Sequence, residues 1–207
     1  MERYLMTHSL LASWLYAIRE NPYETAESEA KKELSSYDEF MLTLERKPTP
    51  TNEAMQKGID FEVLVTNIIK GQGNKKISWY EAAEQVAGIV RGGLLQYRAH
   101  KAFIVSDMSL LLYGRLDALR AGVVYDIKFS GQYKAGKYIS STQHPMYMEL
   151  VPEAKQFTYL VSNGSSVWPE TYTREETPSI FPIITDFFNW LDVRDLMNTY
   201  KKHWLAL

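Results

Sequence analysis

A mixed α/β fold is predicted by two changes of hydrophobic period along the chain and by the apolar material available for a core. Helical spacing dominates before residue 92 and after residue 178, and strand-like runs lie between them. The 207 residues are 45% hydrophobic and 13% aromatic, which suffices for one well-filled core at about 150 residues per domain. The expected order is helices, three strands, a helix, two strands and closing helices, around a mixed sheet flanked by helices.

The first forty residues read as helical. Leu10, Leu11, Trp14, Leu15 and Ile18 share one face, Asn21-Pro22 breaks the helix, and the charged run Glu24 to Glu33 begins another. Pro48 and Pro50 mark a loop, after which Thr51 or Asn52 caps a helix through NEAMQKGIDFEVLVTNIIK that ends at Gly71 and Gly73. A further helix runs from about Trp79 to Arg91 and stops at Gly92-Gly93. LQYRAHKAFIV, SLLLYGRLDALR and VVYDIKFS are rich in β-formers and separated by short breaks. Tyr138 to Leu150 is predicted helical, with Pro145 in its first turn or at a kink. FTYLV and VWPETYT flank the hairpin signal Ser162-Asn163-Gly164-Ser165, and the tail from Pro178 forms one or two amphipathic helices.

Composition narrows the function classes. At 23% charged residues and a formal charge of -2, the chain is unlike disordered proteins, and a pI near 6.1 argues against a strong non-specific polyanion binder. It contains no cysteine, which removes disulfides, thiolate zinc sites, iron–sulfur clusters and cysteine nucleophiles, and fits a reducing cytoplasm. No apolar run approaches the roughly 18–20 residues of a membrane span, and the N-terminus lacks the basic leader and cleavage site of a signal peptide. No G-x-S-x-G, P-loop or G-x-G-x-x-G occurs.

The most informative stretch is GRLDALRAGVVYDIKFS. A turn centred on Ala121-Gly122 sets Asp117 opposite Asp126 and Arg115 opposite Lys128, with Asp126 and Lys128 on one face and Ile127 on the other. Like charges facing each other on a sheet cost up to about 1 kcal/mol, and more inside apolar strands. Either a divalent cation between the carboxylates or a bridging Arg115 or Lys128 would compensate. Two carboxylates and a lysine on one strand face suit metal-assisted phosphodiester hydrolysis: hard oxygens hold Mg²⁺, and the ammonium neutralises charge developing on phosphate. The plain alternative is an exposed hairpin with surface charges.

This layout resembles the PD-(D/E)XK nuclease superfamily, in which Asp, then Asp or Glu, then Lys lie on consecutive strands of a hairpin. Asp117, Asp126 and Lys128 occupy those places here. Gly58-x-x-x-Glu62 looks like the opening helix of λ-exonuclease-like (YqaJ-type) enzymes, whereas RecB-type relatives often carry His where this chain has Glu62. Gln143-His144-Pro145-Met146-Tyr147 is similar to the Q-x-x-x-Y signature of RecB and CRISPR-associated relatives. On a helix, Gln143 and Tyr147 share a face. The matches span residues 58–147. The four cysteines of cluster-bearing relatives are missing, so no iron–sulfur cluster is expected.

The resemblance implies a single nuclease-like domain over 1–207: a helical extension at 1–50, a catalytic core at 51–172 and closing helices at 173–207. It implies a DNA exonuclease of phage or prophage recombination, working in the cytoplasm of a bacterial host. Glu62, Asp117, Asp126 and the Ile127 carbonyl would bind Mg²⁺ or Mn²⁺, Lys128 would position or deprotonate water, and Gln143 and Tyr147 would organise the substrate side. The modest charge implies help from a single-strand annealing protein, a helicase or homo-oligomerisation. The competing expectation is a nuclease-fold module that binds DNA or a partner without cutting.

Weaker signals surround these. No two of the four histidines have metal-ligand spacing, so His144 is read as exposed or capping. Lys134 and Lys137, interleaved with Tyr133 and Tyr138, suit either a strand-tracking groove or a solvated loop. Asn74-Lys75-Lys76 and the stretch from Arg91 to Lys101 add positive charge of an ordinary surface kind.

Overall fold

The computed structural model describes residues 2–19 and 34–206, so the expected break at Asn21-Pro22 and the charged segment to Glu33 lie outside the described residues. The fold is mixed α/β, and the chain divides into two compact units. One comprises Met1–Pro50, His100–Gly114 and Ser179–Leu207, and the other Thr51–Ala99 and Arg115–Pro178. Strands β2 (Leu94–Val105) and β3 (Met108–Arg120) each contribute residues to both.

The first unit opens on a strand where a helix was expected. In β1 (Arg3–Thr7), Tyr4 and Met6 are buried and their neighbours are not, a period of two that fits pairing and not a helix. The strand lies parallel to β3, from Arg3↔Ser109 to Thr7↔Tyr113. Thr7 caps α1 (His8–Ile18) by accepting from the Leu10 N–H, and Ser35 forms a reciprocal capping box with Asp38 at α2 (Ser36–Leu44). Aromatic side chains join these helices to α6 (Phe181–Val193): Trp14 meets Phe187 edge-on at 5.3 Å, and Phe40 meets Trp190 at 5.5 Å. The Tyr200 hydroxyl on α7 (Met197–His203) donates to the Leu5 carbonyl, and the Trp204 indole donates to the Leu44 carbonyl.

The second unit carries the sequence signals for function. Asn52 caps α3 (Glu53–Ile69) through the Met55 N–H, and Gly71, at φ 75, follows its end. Phe61, Leu64, Val65 and Ile68 of α3 form a core with Ala83, Val86 and other residues of α4 (Tyr80–Val90). Beyond this lie β4 (Val123–Phe129), α5 (Gln143–Leu150), β5 (Gln156–Ser162) and β6 (Val167–Thr173). Helix α5 starts later than the expected Tyr138, because residues 138–140 are a turn and 141–142 are irregular, and Pro145 falls in its first turn, where a missing N–H costs nothing.

The sheet of this unit is mixed. β4 runs antiparallel to β3 and parallel to β5, and β5 is antiparallel to β6. The β3–β4 register is the expected one, with Ala118↔Tyr125, Leu119↔Val124 and Arg120↔Val123. Ala121 (φ 50) and Gly122 (φ 78) are both left-handed, the conformation a two-residue hairpin matched to strand twist requires. Gly164 (φ 92) closes the β5–β6 hairpin, where a Cβ would lie 2.4 Å from Trp79 Cδ1. Among the described residues, no helix is long and apolar enough to cross a membrane.

Candidate functional site

The expected site residues all belong to the second unit, and Asp117, Lys128, Gln143 and Tyr147 gather around the Asp126 carboxylate. The β3–β4 ladder stops at Ala118↔Tyr125, and from there side chains take over. Asp117 Oδ2 accepts the Ile127 N–H at 2.8 Å, so a carboxylate occupies the place a strand carbonyl would fill. Asp126 is buried, 4% exposed, among strands that otherwise bury apolar groups. Its Oδ1 accepts from Gln143 Nε2. Its Oδ2 is held in an ion pair by Lys128 Nζ at 2.8 Å. The partner left open by the sequence is therefore Lys128; Arg115 is exposed, and its backbone carbonyl accepts from the Tyr147 hydroxyl at 3.0 Å.

Electrostatics follow from this crowding. Burial pushes the Asp117 carboxyl up to about 8, and the Asp126 and Glu62 charges add to the rise, against the Ile127 N–H and Lys128. Burial alone would lower Lys128, but Asp126, Asp117 and Glu62 outweigh it and hold the ammonium above its ordinary value. Lys128 is thus a fixed cation at neutral pH, close to a carboxyl that resists ionisation.

Glu62 stands on α3, half-buried and near enough to act on Asp117, but its Oε1 accepts from Gln96 Nε2 at 2.7 Å. Among the described residues, no three His, Cys, Asp or Glu side chains are gathered as a ready metal cluster. Gln143 and Tyr147 share a face of α5, as expected, and they hold the acidic hairpin: one fixes the Asp126 carboxylate and the other the β3 backbone.

His144 departs from the expectation of an exposed or capping residue. It is 1% exposed, its Nδ1 lies 3.0 Å from the Tyr159 hydroxyl, and its ring stacks on Tyr172 at 4.3 Å. Helix α5 is buried on nearly every side, which leaves its histidine no solvent face to occupy. Burial drives the His144 pKa down to about 4, with Glu170 pulling the other way.

The segment after β4 is not a freely solvated loop. Tyr133 stacks on Trp168 at 5.4 Å and Tyr138 on Tyr159 at 4.5 Å, while Lys134 and Lys137 stay exposed. Sequence reasoning missed Glu170, Tyr159 and Gln96. A faint signal existed for the first, since an acid alternating with Trp168 and Tyr172 shares their face of β6.

No protein-family profile matches the chain, and no curated protein matches it. Among solved structures it is similar to the crystal structure of SSO0001, with a TM-score of 0.53 and 13% identity over 93% of this chain and 78% of that one. A likeness at that identity carries the fold alone, an α/β arrangement with a mixed sheet.

Proposed function

We propose that the protein is a metal-dependent DNA nuclease on a PD-(D/E)XK core, hydrolysing phosphodiester bonds as an exonuclease of recombination type. The observation that carries this reading is the buried Asp126 carboxylate beside an Asp117 carboxyl that burial and the Asp126 and Glu62 charges keep from ionising. A hard divalent cation fits such a pair, since Mg²⁺ and Mn²⁺ prefer carboxylate oxygens and Mg²⁺ keeps several waters. Asp117 and Asp126 would hold it, with the Ile127 carbonyl, and with Glu62 once released from Gln96. When bound, the ion would supply an acidified water and charge neutralisation at phosphate.

The remaining work falls to the chain. Lys128, kept cationic by its carboxylate neighbours, meets the negative charge that grows on the scissile phosphate or holds the attacking water. Gln143 fixes the plane of the Asp126 carboxylate, and Tyr147 fixes the β3 backbone at Arg115. The hold of Gln96 on Glu62 favours a second reading, a nuclease-fold module that binds nucleic acid without cutting.

Digestion of linear DNA with Mg²⁺ or Mn²⁺ separates the two. Asp126→Asn should lose about 10²–10³-fold in rate, the usual cost of removing a charge-stabilising group. Cleavage by Asp126→Asn at the wild-type rate would refute the mechanism. No digestion by the wild type, together with no Mn²⁺ binding by calorimetry, would leave the non-catalytic module.

A further inference from the structure

Register places a further carboxylate, Glu170, in line with the candidate site. Asp126 pairs with Tyr159 across β4–β5, and Tyr159 pairs with Glu170 across β5–β6. The next row on that face is Lys128, Val161 and Trp168. Paired residues on adjacent strands point the same way, so Glu170 and Trp168 lie on the sheet face that bears Asp126 and Lys128.

The segment 130–142 covers the β5–β6 part of that face. Tyr133 stacks on Trp168 and Tyr138 on Tyr159. Glu170 is 8% exposed and accepts from both: Oε2 from the Tyr133 hydroxyl at 2.7 Å, Oε1 from the Tyr138 N–H at 2.9 Å. The Tyr172 hydroxyl donates to Oε1 at 2.5 Å. Among the described residues, no Lys or Arg forms an ion pair with Glu170. A buried carboxylate answered only by neutral donors costs desolvation, and two of those donors come from one segment. Lys137 closes the segment on itself, with Nζ 2.7 Å from Ser130 Oγ and 3.1 Å from the Gln132 carbonyl.

We propose that Glu170 is a positioning residue for the candidate site: it latches segment 130–142 onto this sheet face, so that exposed Lys134 forms a cationic wall for a phosphodiester strand. The inference rests on the nuclease-fold reading for its ligand class, but not on cleavage. Glu170 touches neither the strand nor an ion; it acts through Tyr133 and Tyr138.

The test measures affinity for a fluorescein-labelled DNA duplex with a single-stranded overhang, by anisotropy in EDTA, beside Mn²⁺ calorimetry. Glu170→Gln should weaken DNA binding roughly tenfold and flatten its salt dependence, since a lysine–phosphate contact releases about one counterion. Mn²⁺ binding should stay at the wild-type level. Adding Lys134→Gln to Glu170→Gln should cost nothing further, because both act through one wall. Tyr133→Phe, which keeps the stack on Trp168 and removes one donor, should show a smaller loss in the same direction and serves if Glu170→Gln fails to fold. If the wild type cuts DNA, Glu170→Gln should raise KM and leave kcat.

Wild-type DNA affinity in folded Glu170→Gln or, failing that, in Tyr133→Phe would overturn the latch, and so would additive losses in the double variant. Failure of the wild type to bind the duplex would overturn it as well. A wild type that binds DNA and fails to cut it, with the Glu170→Gln loss present, would sink the catalytic reading and leave the latch standing.

Discussion

His144 should make the protein acid-sensitive in a way that one substitution removes. The ring is 1% exposed, stacked on Tyr172 and 3.0 Å from the Tyr159 hydroxyl, and burial lowers its pKa from 6.5 to about 4. Between those values the unfolded chain binds a proton that the native state refuses. Stability from this group is therefore fully present above 6.5 and is lost as pH falls toward about 4. The limit is about 3 kcal/mol, of which about 2.5 kcal/mol should be gone by about pH 4.5. Glu170 opposes the shift and is part of the value. His144→Asn places a neutral amide near the Nδ1 position, within reach of Tyr159, and cannot titrate. Urea denaturation of both proteins at about pH 7.5 and about pH 4.5 reads the difference directly, because every other acid group is common to the two. The wild type should lose about 2.5 kcal/mol more than the variant on acidification. Parallel losses would refute the reasoning and mean that His144 takes up its proton in the native state.

Two further outcomes follow from the β3–β4 hairpin. At neutral pH, Mn²⁺ at about a hundredfold excess over its Kd should stabilise the wild type by about 2.7 kcal/mol, raising Tm by several degrees. Asp117→Asn should respond much less, and the wild-type shift should shrink as pH falls, since protons compete for the same carboxylates; an equal shift in both proteins would place the ion elsewhere. Ala121 holds φ 50 at a position that suits Asn or Gly, so Ala121→Asn should raise stability by about 1 kcal/mol in chemical denaturation. A loss of stability would show that the hairpin turn is not left-handed in solution.

Local rules were enough to read much of this protein from its residues. Period and punctuation located α3, α4, the β2–β3–β4 run and the β5–β6 hairpin, because capping by Asn52, a two-residue turn at Ala121-Gly122 and alternation along a strand act between near neighbours. The same alternation, counted outward from that turn, is sufficient to set Asp117 across from Asp126. Strand β1 was lost because its alternation spans only five residues and runs into a helix, and a strand that short is defined by its partner, β3.

Tertiary structure decided which groups answer which charges. That Lys128 and not Arg115 meets Asp126, that Gln96 claims Glu62, and that Glu170 gathers Tyr133, Tyr138 and Tyr172 depend on residues far apart in the chain. Burial of His144 depends likewise on β5 and β6 closing over α5. Hydrophobic period reports which side of an element faces a core. It carries no information on which polar partner waits there, because that is a matter of position in space and of the cost of leaving a buried charge unanswered.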